Sequence, residues 1–179
     1  MKKRSEIINN RSMVNEVSGV YYWYIKTKSF KKIFPELPDF IKNNPKQLTK
    51  DQEYVLVYVG IANNLRERLL WHLDQKHTLS AIRSGFLSTL RQSLSAIAFA
   101  TMANCDKELN DFFEKNLLVK WVEHSSPRDE EKKLLIKYIL PLNIQGNKRE
   151  ELKESILELR RLRKKVKLES IDLLEKTRK

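Results

Sequence analysis

A single cysteine, Cys105, is the only thiol in the chain, so no intrachain disulfide forms and no cysteine-based zinc site is available. No apolar run approaches the roughly 20 residues that cross a bilayer. The opening MKKRSEIINNRS has the basic flank of a signal peptide without the apolar stretch that follows one. No internal repeat is visible, and from Asn147 onward neither glycine nor proline interrupts the chain. These absences remove disulfide scaffolds, zinc fingers, membrane spans and repeat arrays. They predict a soluble protein of the reducing cytoplasm, with no membrane partner.

What is abundant is positive charge. Thirty-five Lys and Arg against 23 Asp and Glu give a net charge of +12 over 179 residues. Such a field attracts polyanions, with nucleic acid first and anionic membrane surfaces as the competitor. A chain of this length, 41% apolar, holds one domain or one domain with an appendage.

GVYYWYI (Gly19 to Ile25) and YVLVYVG (Tyr54 to Gly60) are short, aromatic and β-branched, which predicts two paired strands. Residues 28–53 between them contain three prolines and more lysines than acids, and read as a basic insertion with at most one short helix. NNLRERLLWHLDQ spaces Leu65, Leu69 and Leu73 by four, the stripe of a one-faced helix capped by Asn63 or Asn64. STLRQSLSAIAFATMA predicts a buried helix opened by Ser88, and ELNDFFEKNLL another. LVKWVEH predicts a third strand centred on Trp121. The next helix starts with Ser126 as cap, Pro127 in its first turn and acids behind it, and is ended by Pro141. The expected fold is α/β in the α+β sense: an antiparallel sheet of about three strands flanked by helices. The expected division is an N-terminal arm (1–17), a catalytic domain (18–147) and a long basic C-terminal helix (148–179).

Arg68 and His72 are one helical turn apart and share a face. That face looks toward the end of the strand that stops at Gly60, two residues after Tyr58. With Gly19 and Tyr21 as cross-strand neighbours of Tyr58, two phenols, a guanidinium and an imidazole converge.

The order and spacing of GVY (Gly19 to Tyr21), YVG (Tyr58 to Gly60), Arg68 ten residues after Tyr58, and EKKLLIKYILPLN (Glu131 to Asn143) resemble the GIY-YIG nuclease superfamily. STLRQSL (Ser88 to Leu94) and Asn147 resemble its small stand-alone members. The resemblance covers roughly residues 18–147 and implies a metal-dependent DNA endonuclease, with DNA as partner and one divalent ion, Mg²⁺ or Mn²⁺, as cofactor.

By that resemblance Glu131 is the metal ligand, with Glu130 and Glu123 as its chemical rivals. Arg68 holds the scissile phosphate, Tyr21 takes a proton from the attacking water, and Tyr58 orients phosphate or water. His72 matches the histidine of homing and restriction members, and Asn143 supports the site. A phenol with an ordinary pKa of about 10 needs help to act as a base, from Arg68, His72 or the metal, so cleavage is expected to accelerate toward alkaline pH. Ile61 stands where the excision-repair branch usually has lysine, which speaks against a close relation to that branch. A small stand-alone chain with a basic insertion favours a type II restriction-like role, with a homodimer for cutting both strands. A repair-associated or structure-directed nuclease, and a DNA-binding module that has lost cleavage, are the alternatives.

Other residues read more plainly. Trp23, Trp121 and Cys105 belong to the core, and His77 and His124 are ordinary surface or edge residues. Arg91 is either a phosphate contact or a helix-end ion-pair partner. Lys31 and Lys32 in the insertion, and Arg160, Arg161, Arg163 and Lys164 in the last helix, are candidates for contact with DNA, those of the helix with its backbone. The apolar stripe of that helix (Leu152, Ile156, Leu159, Leu162, Val166) predicts that it also packs.

Overall fold

The computed structural model of the chain describes residues 1–37, 39 and 44–177. Parts of the expected insertion (residues 38 and 40–43) and the end of the expected C-terminal helix (178–179) lie outside the described residues.

Three strands form one antiparallel sheet in the order β2-β1-β3: β1 (Gly19–Lys26), β2 (Tyr54–Ala62) and β3 (Leu117–Glu123). The helices are α1 (Arg4–Asn9), α2 (Thr27–Ile33), α3 (Leu65–Asp74), α4 (Leu79–Ser84), α5 (Thr89–Phe99), α6 (Asp106–Asn116), α7 (Pro127–Lys137) and α8 (Lys153–Lys176). This is the α+β architecture the sequence predicts.

Both faces of the sheet are covered, which is why β1 reads as an almost unbroken aromatic and β-branched run. On one face Tyr21, Trp23 and Ile25 pack with Leu65, Leu69 and Leu73 of α3, Leu90 and Leu94 of α5 and Phe113 of α6. The three α3 leucines are fully buried, each contributing about 1.5–3 kcal/mol. On the other face Val20, Leu56 and Val59 meet Leu134 and Leu140, with Tyr22, Tyr24 and Tyr138 alongside.

The register of β1 and β2 departs from simple alternation. Tyr21 lies opposite Gly60 and Trp23 opposite Tyr58, but Tyr24 lies opposite Leu56, leaving Val57 as an extra residue on β2. Val57 and Tyr58 are neighbours in sequence yet pack into the same core as Tyr21. This bulge turns Tyr58 onto the α3 face. Under unbroken alternation Tyr58 would share the opposite face with Leu56. The expected pairing of Tyr58 with Gly19 and Tyr21 is corrected accordingly.

β2 is an edge strand, and its free edge is capped rather than left open. Leu142 N–H donates to the Val57 carbonyl (3.2 Å). The Asn143 side chain accepts from Val59 N–H (2.9 Å) and donates to the Val59 carbonyl (2.7 Å). Gln47, buried within the insertion, donates to the carbonyls of Leu56 and Ile139 and accepts from Ile139 N–H. The insertion thus ties β2 to the segment after α7. Its described residues hold α2 and a short 3₁₀ turn, Pro45–Gln47.

α3 is capped by Asn64, which accepts from Glu67 N–H, and α5 by Ser88, which accepts from Arg91 N–H. α7 differs from expectation at both ends. The Ser126 side chain makes no capping bond, and the helix stops at Lys137, before Pro141, because Tyr138 is already extended. Residues 1–17 are folded onto the domain. Lys2 pairs with the backbone of Val119, Arg4 donates to the Leu73 carbonyl, and Ile7 and Val14 are buried. α8 packs along α4 and α5 through Val166, Leu162, Ile171 and Leu174 against Ile82, Leu87, Ala96 and Met102. Among the described residues no helix is long and apolar enough to cross a membrane.

Candidate active site

Tyr21 of β1, Tyr58 and Gly60 of β2, Arg68 of α3, Glu131 of α7 and Asn143 line one recess of about 130 Å³. Two tight positions shape it. A side chain at Gly60 would overlap the Tyr21 hydroxyl, and one at Gly19 would overlap the Val122 carbonyl and Leu65. The glycine of YVG is therefore the space that Tyr21 occupies.

The Tyr21 hydroxyl is 2.8 Å from His72 Nε2, and the other ring nitrogen of His72 bonds to the Ser88 hydroxyl. His72 is buried, and burial together with the charges of Arg68 and Arg91 holds its pKa well below the usual histidine value. The imidazole is therefore neutral. With hydrogen on Nδ1, donated to Ser88 Oγ, which also accepts from Arg91 N–H, Nε2 is free to accept the Tyr21 proton.

Tyr21 is fully buried, and burial raises its phenol well above the ordinary tyrosine value; neighbouring Tyr58 pushes the same way and Arg68 opposes. Tyr58 is raised by burial, with Arg68 pulling down. The two rings lie 6.3 Å apart. Both phenols are neutral in the resting protein.

Arg68 is fixed by stacking, its guanidinium carbon 4.3 Å from the centre of the Trp71 ring. Glu131 is half-buried; burial raises its pKa and Arg68 lowers it. Among the described residues no hydrogen bond or ion pair engages the Glu131 carboxylate. Its rival Glu130 sits near Lys133, at 3.9 Å, and Glu123 accepts a bond from Asn15. An unengaged carboxylate facing a polar recess suits a hard cation such as Mg²⁺. Among the described residues no three His, Cys, Asp or Glu side chains come together, and the carboxylate lining the recess is that of Glu131.

The other candidates separate. Arg163 leaves the group of surface cations: it is largely buried, its Nη2 donates to Gln92 Oε1 (2.6 Å), and its charge lies near enough to Tyr58 to lower that phenol. Its Nε is buried without a partner. Arg160 is exposed but donates to the carbonyl of Ile144, a residue of the recess wall. Arg161 and Lys164 face solvent. Lys31 and Lys32 are exposed on α2, beyond the end of β1 that lies about 16 Å from Tyr21, at some 3.3 Å per strand residue.

Arg91 is fully buried, which removes it as a phosphate contact. Its guanidinium donates to His77 Nε2 (3.2 Å), the His72 carbonyl (3.2 Å) and Asn110 Oδ1 (3.0 Å), and lies 3.6 Å from Asp106. His77 is likewise buried rather than at the surface, with Nδ1 against the Met102 carbonyl at 3.1 Å. These two corrections share a cause. Each residue alone reads as polar surface, but together they satisfy one another and hold the end of the helix that carries His72. Asn143 is spent on the backbone of β2, as a supporting residue would be.

A family model for the GIY-YIG catalytic domain matches residues 19–165 of the chain. The protein belongs to this family, within the GIY-YIG nuclease superfamily. The matched span runs into α8 and includes Arg160, which bonds to the recess wall at Ile144, and Arg163. No curated protein and no solved structure matches the chain.

Proposed function

We propose that this chain is a metal-dependent DNA endonuclease that hydrolyses a phosphodiester in the Tyr21, Tyr58, Arg68, Glu131 recess. One observation carries the reading: two neutral phenols, a stacked guanidinium and an unengaged carboxylate line one small recess, with a neutral imidazole bonded to Tyr21 behind it.

Glu131 holds the divalent ion, Mg²⁺ or Mn²⁺. When bound, the ion supplies Lewis-acid stabilisation of the leaving and non-bridging oxygens. Arg68, held against Trp71, grips the scissile phosphate and stabilises charge as phosphorus becomes five-coordinate. Tyr21 takes a proton from the attacking water while passing its own hydroxyl proton to His72 Nε2. The imidazolium that forms is disfavoured by Arg68 and Arg91, and the incoming phosphate offsets part of that repulsion by neutralising Arg68. Tyr58 and Arg163 orient the phosphate from the other side, and Asn143 keeps the β2 backbone in place.

The biological role we favour is restriction-like cutting of duplex DNA, with the basic segment 28–53 contacting DNA away from the cut and two copies acting on the two strands. Supercoiled plasmid and long linear DNA, incubated with the protein and Mg²⁺, Mn²⁺ or EDTA, test this. Discrete metal-dependent bands that disappear in Glu131→Ala are expected. A metal-dependent smear would replace the restriction role with nonspecific or structure-directed cutting. Bound but intact DNA under all conditions would reduce the chain to a binding module.

A further inference from the structure

Beside the recess lies a second, larger groove of about 510 Å³. Arg68 and Ile61 belong to both, so the groove opens directly from the point where the scissile phosphate is held. Its aromatic side chains are Trp71 and Phe86, whose rings are 5.8 Å apart. Phe86 is 70% exposed, a large aromatic ring held out in solvent next to a catalytic arginine. Around this pair stand Arg128, Asn63 and Glu67. Among the described residues the side chains of Asn63, Glu67 and Arg128 have no hydrogen-bond or ion-pair partner, so an amide, a carboxylate and a guanidinium remain available to the edge of a ligand.

We propose that this groove receives one unstacked nucleobase of the substrate strand, next to the phosphate that Arg68 holds. The proposal rests on the phosphate role of Arg68 given above. Three features select a base over other occupants. Aromatic faces stack on any nucleobase, and a stacked base on a cation-flanked platform is the usual means of holding unpaired nucleic acid. The volume lies in the range that encloses a small organic group, about 300–1,000 Å³. The polar tips, a donor and acceptor in Asn63 and an acceptor in Glu67, match the hydrogen-bonding edge of a base. A duplex would meet this requirement by displacing one nucleotide from its stack beside the cut, which is least costly at a mismatch, a flexible step or an unpaired strand.

The test needs no cleavage. A short fluorescein-labelled single strand, and the same backbone in which every base is replaced by a tetrahydrofuran abasic unit, are titrated with the full chain in EDTA. Wild-type protein is expected to bind the base-bearing strand about five- to tenfold more tightly than the abasic one. Phe86→Leu, which keeps an apolar side chain but removes the ring, is expected to erase most of that ratio while leaving abasic-strand affinity and its salt dependence unchanged. Equal wild-type affinity for both strands overturns the proposal, as does a ratio that survives in Phe86→Leu. Failure to bind either strand overturns it as well and removes support for phosphate binding at Arg68. Metal-dependent plasmid cutting by a protein without base preference overturns the groove alone and leaves the nuclease standing.

Discussion

The Tyr21 hydroxyl occupies the volume that a side chain at position 60 would fill, so these two residues, opposite one another on β1 and β2, are a single steric unit. Gly60→Ala is expected to push the phenol off His72, lowering cleavage at least a hundredfold and stability by about 1–3 kcal/mol. Cleavage rates and thermal melts of the variant check this. Wild-type turnover with an unchanged melt would mean that the Tyr21 position is not tied to Gly60.

The pH profile reports on the Tyr21 to His72 link. His72 lies well below its ordinary value and Tyr21 well above, so both active forms, neutral imidazole and neutral phenol, persist across neutral pH. The cleavage rate is expected to be nearly flat from about pH 6.5 to 9 and to fall only on stronger acidification. Without the acceptor, in His72→Ala, only phenolate serves as base. The rate is then expected to drop about a hundredfold near pH 7 and to climb tenfold per pH unit. The alkaline acceleration expected from the sequence for an assisted phenol is thus expected of the variant and not of the wild-type protein. Parallel profiles for the two proteins would assign the base role elsewhere.

Arg163 brings a second positive charge to the Tyr58 side of the recess from a helix that the sequence presents as an appendage. Arg163→Ala is expected to reduce cleavage about tenfold, with duplex affinity nearly unchanged, and Arg163→Lys to recover part of the loss. A uniform loss of affinity with normal turnover at saturating DNA would instead make Arg163 an ordinary backbone contact.

Stability has its own pH dependence, through His77. Burial and the neighbouring Arg91 lower its pKa to about 4. A depressed folded-state value means that the unfolded chain binds the proton more readily, so the stabilisation is complete above about pH 6.5 and is lost as pH falls toward 4. Denaturation midpoints should fall across that window. The slope should flatten in His77→Gln, whose amide can still accept from Arg91. An unchanged slope would mean that His77 is solvated in the folded protein.

The three strands and the helices were readable because each carries a local signal. The fours of Leu65, Leu69 and Leu73, the aromatic run of β1 and the caps at Asn64 and Ser88 need no knowledge of the rest of the chain. The members of the recess were readable through their spacing. What escaped depends on partners distant in sequence. Arg91 and His77 are buried because Asn110, Asp106 and the His72 carbonyl meet them in space. Gln47 looks like an insertion residue until Ile139 arrives beside it. Arg163 is one cation among several until α8 lies down on α5. Helical spacing already sets Trp71 beside Arg68, but only the fold brings Phe86 to the pair.

The extra residue at Val57 makes the site a matter of counting. Side chains along β2 can be exchanged one for one, and the phenol at position 58 still points toward α3. Inserting one residue between Tyr58 and Val59, with Gly60 kept opposite Tyr21, would present that phenol to α7 instead, with composition and hydropathy almost untouched. For this scaffold, length along one strand is as strict a determinant as chemistry, and libraries built on it should vary letters in β2 while leaving its reading frame alone.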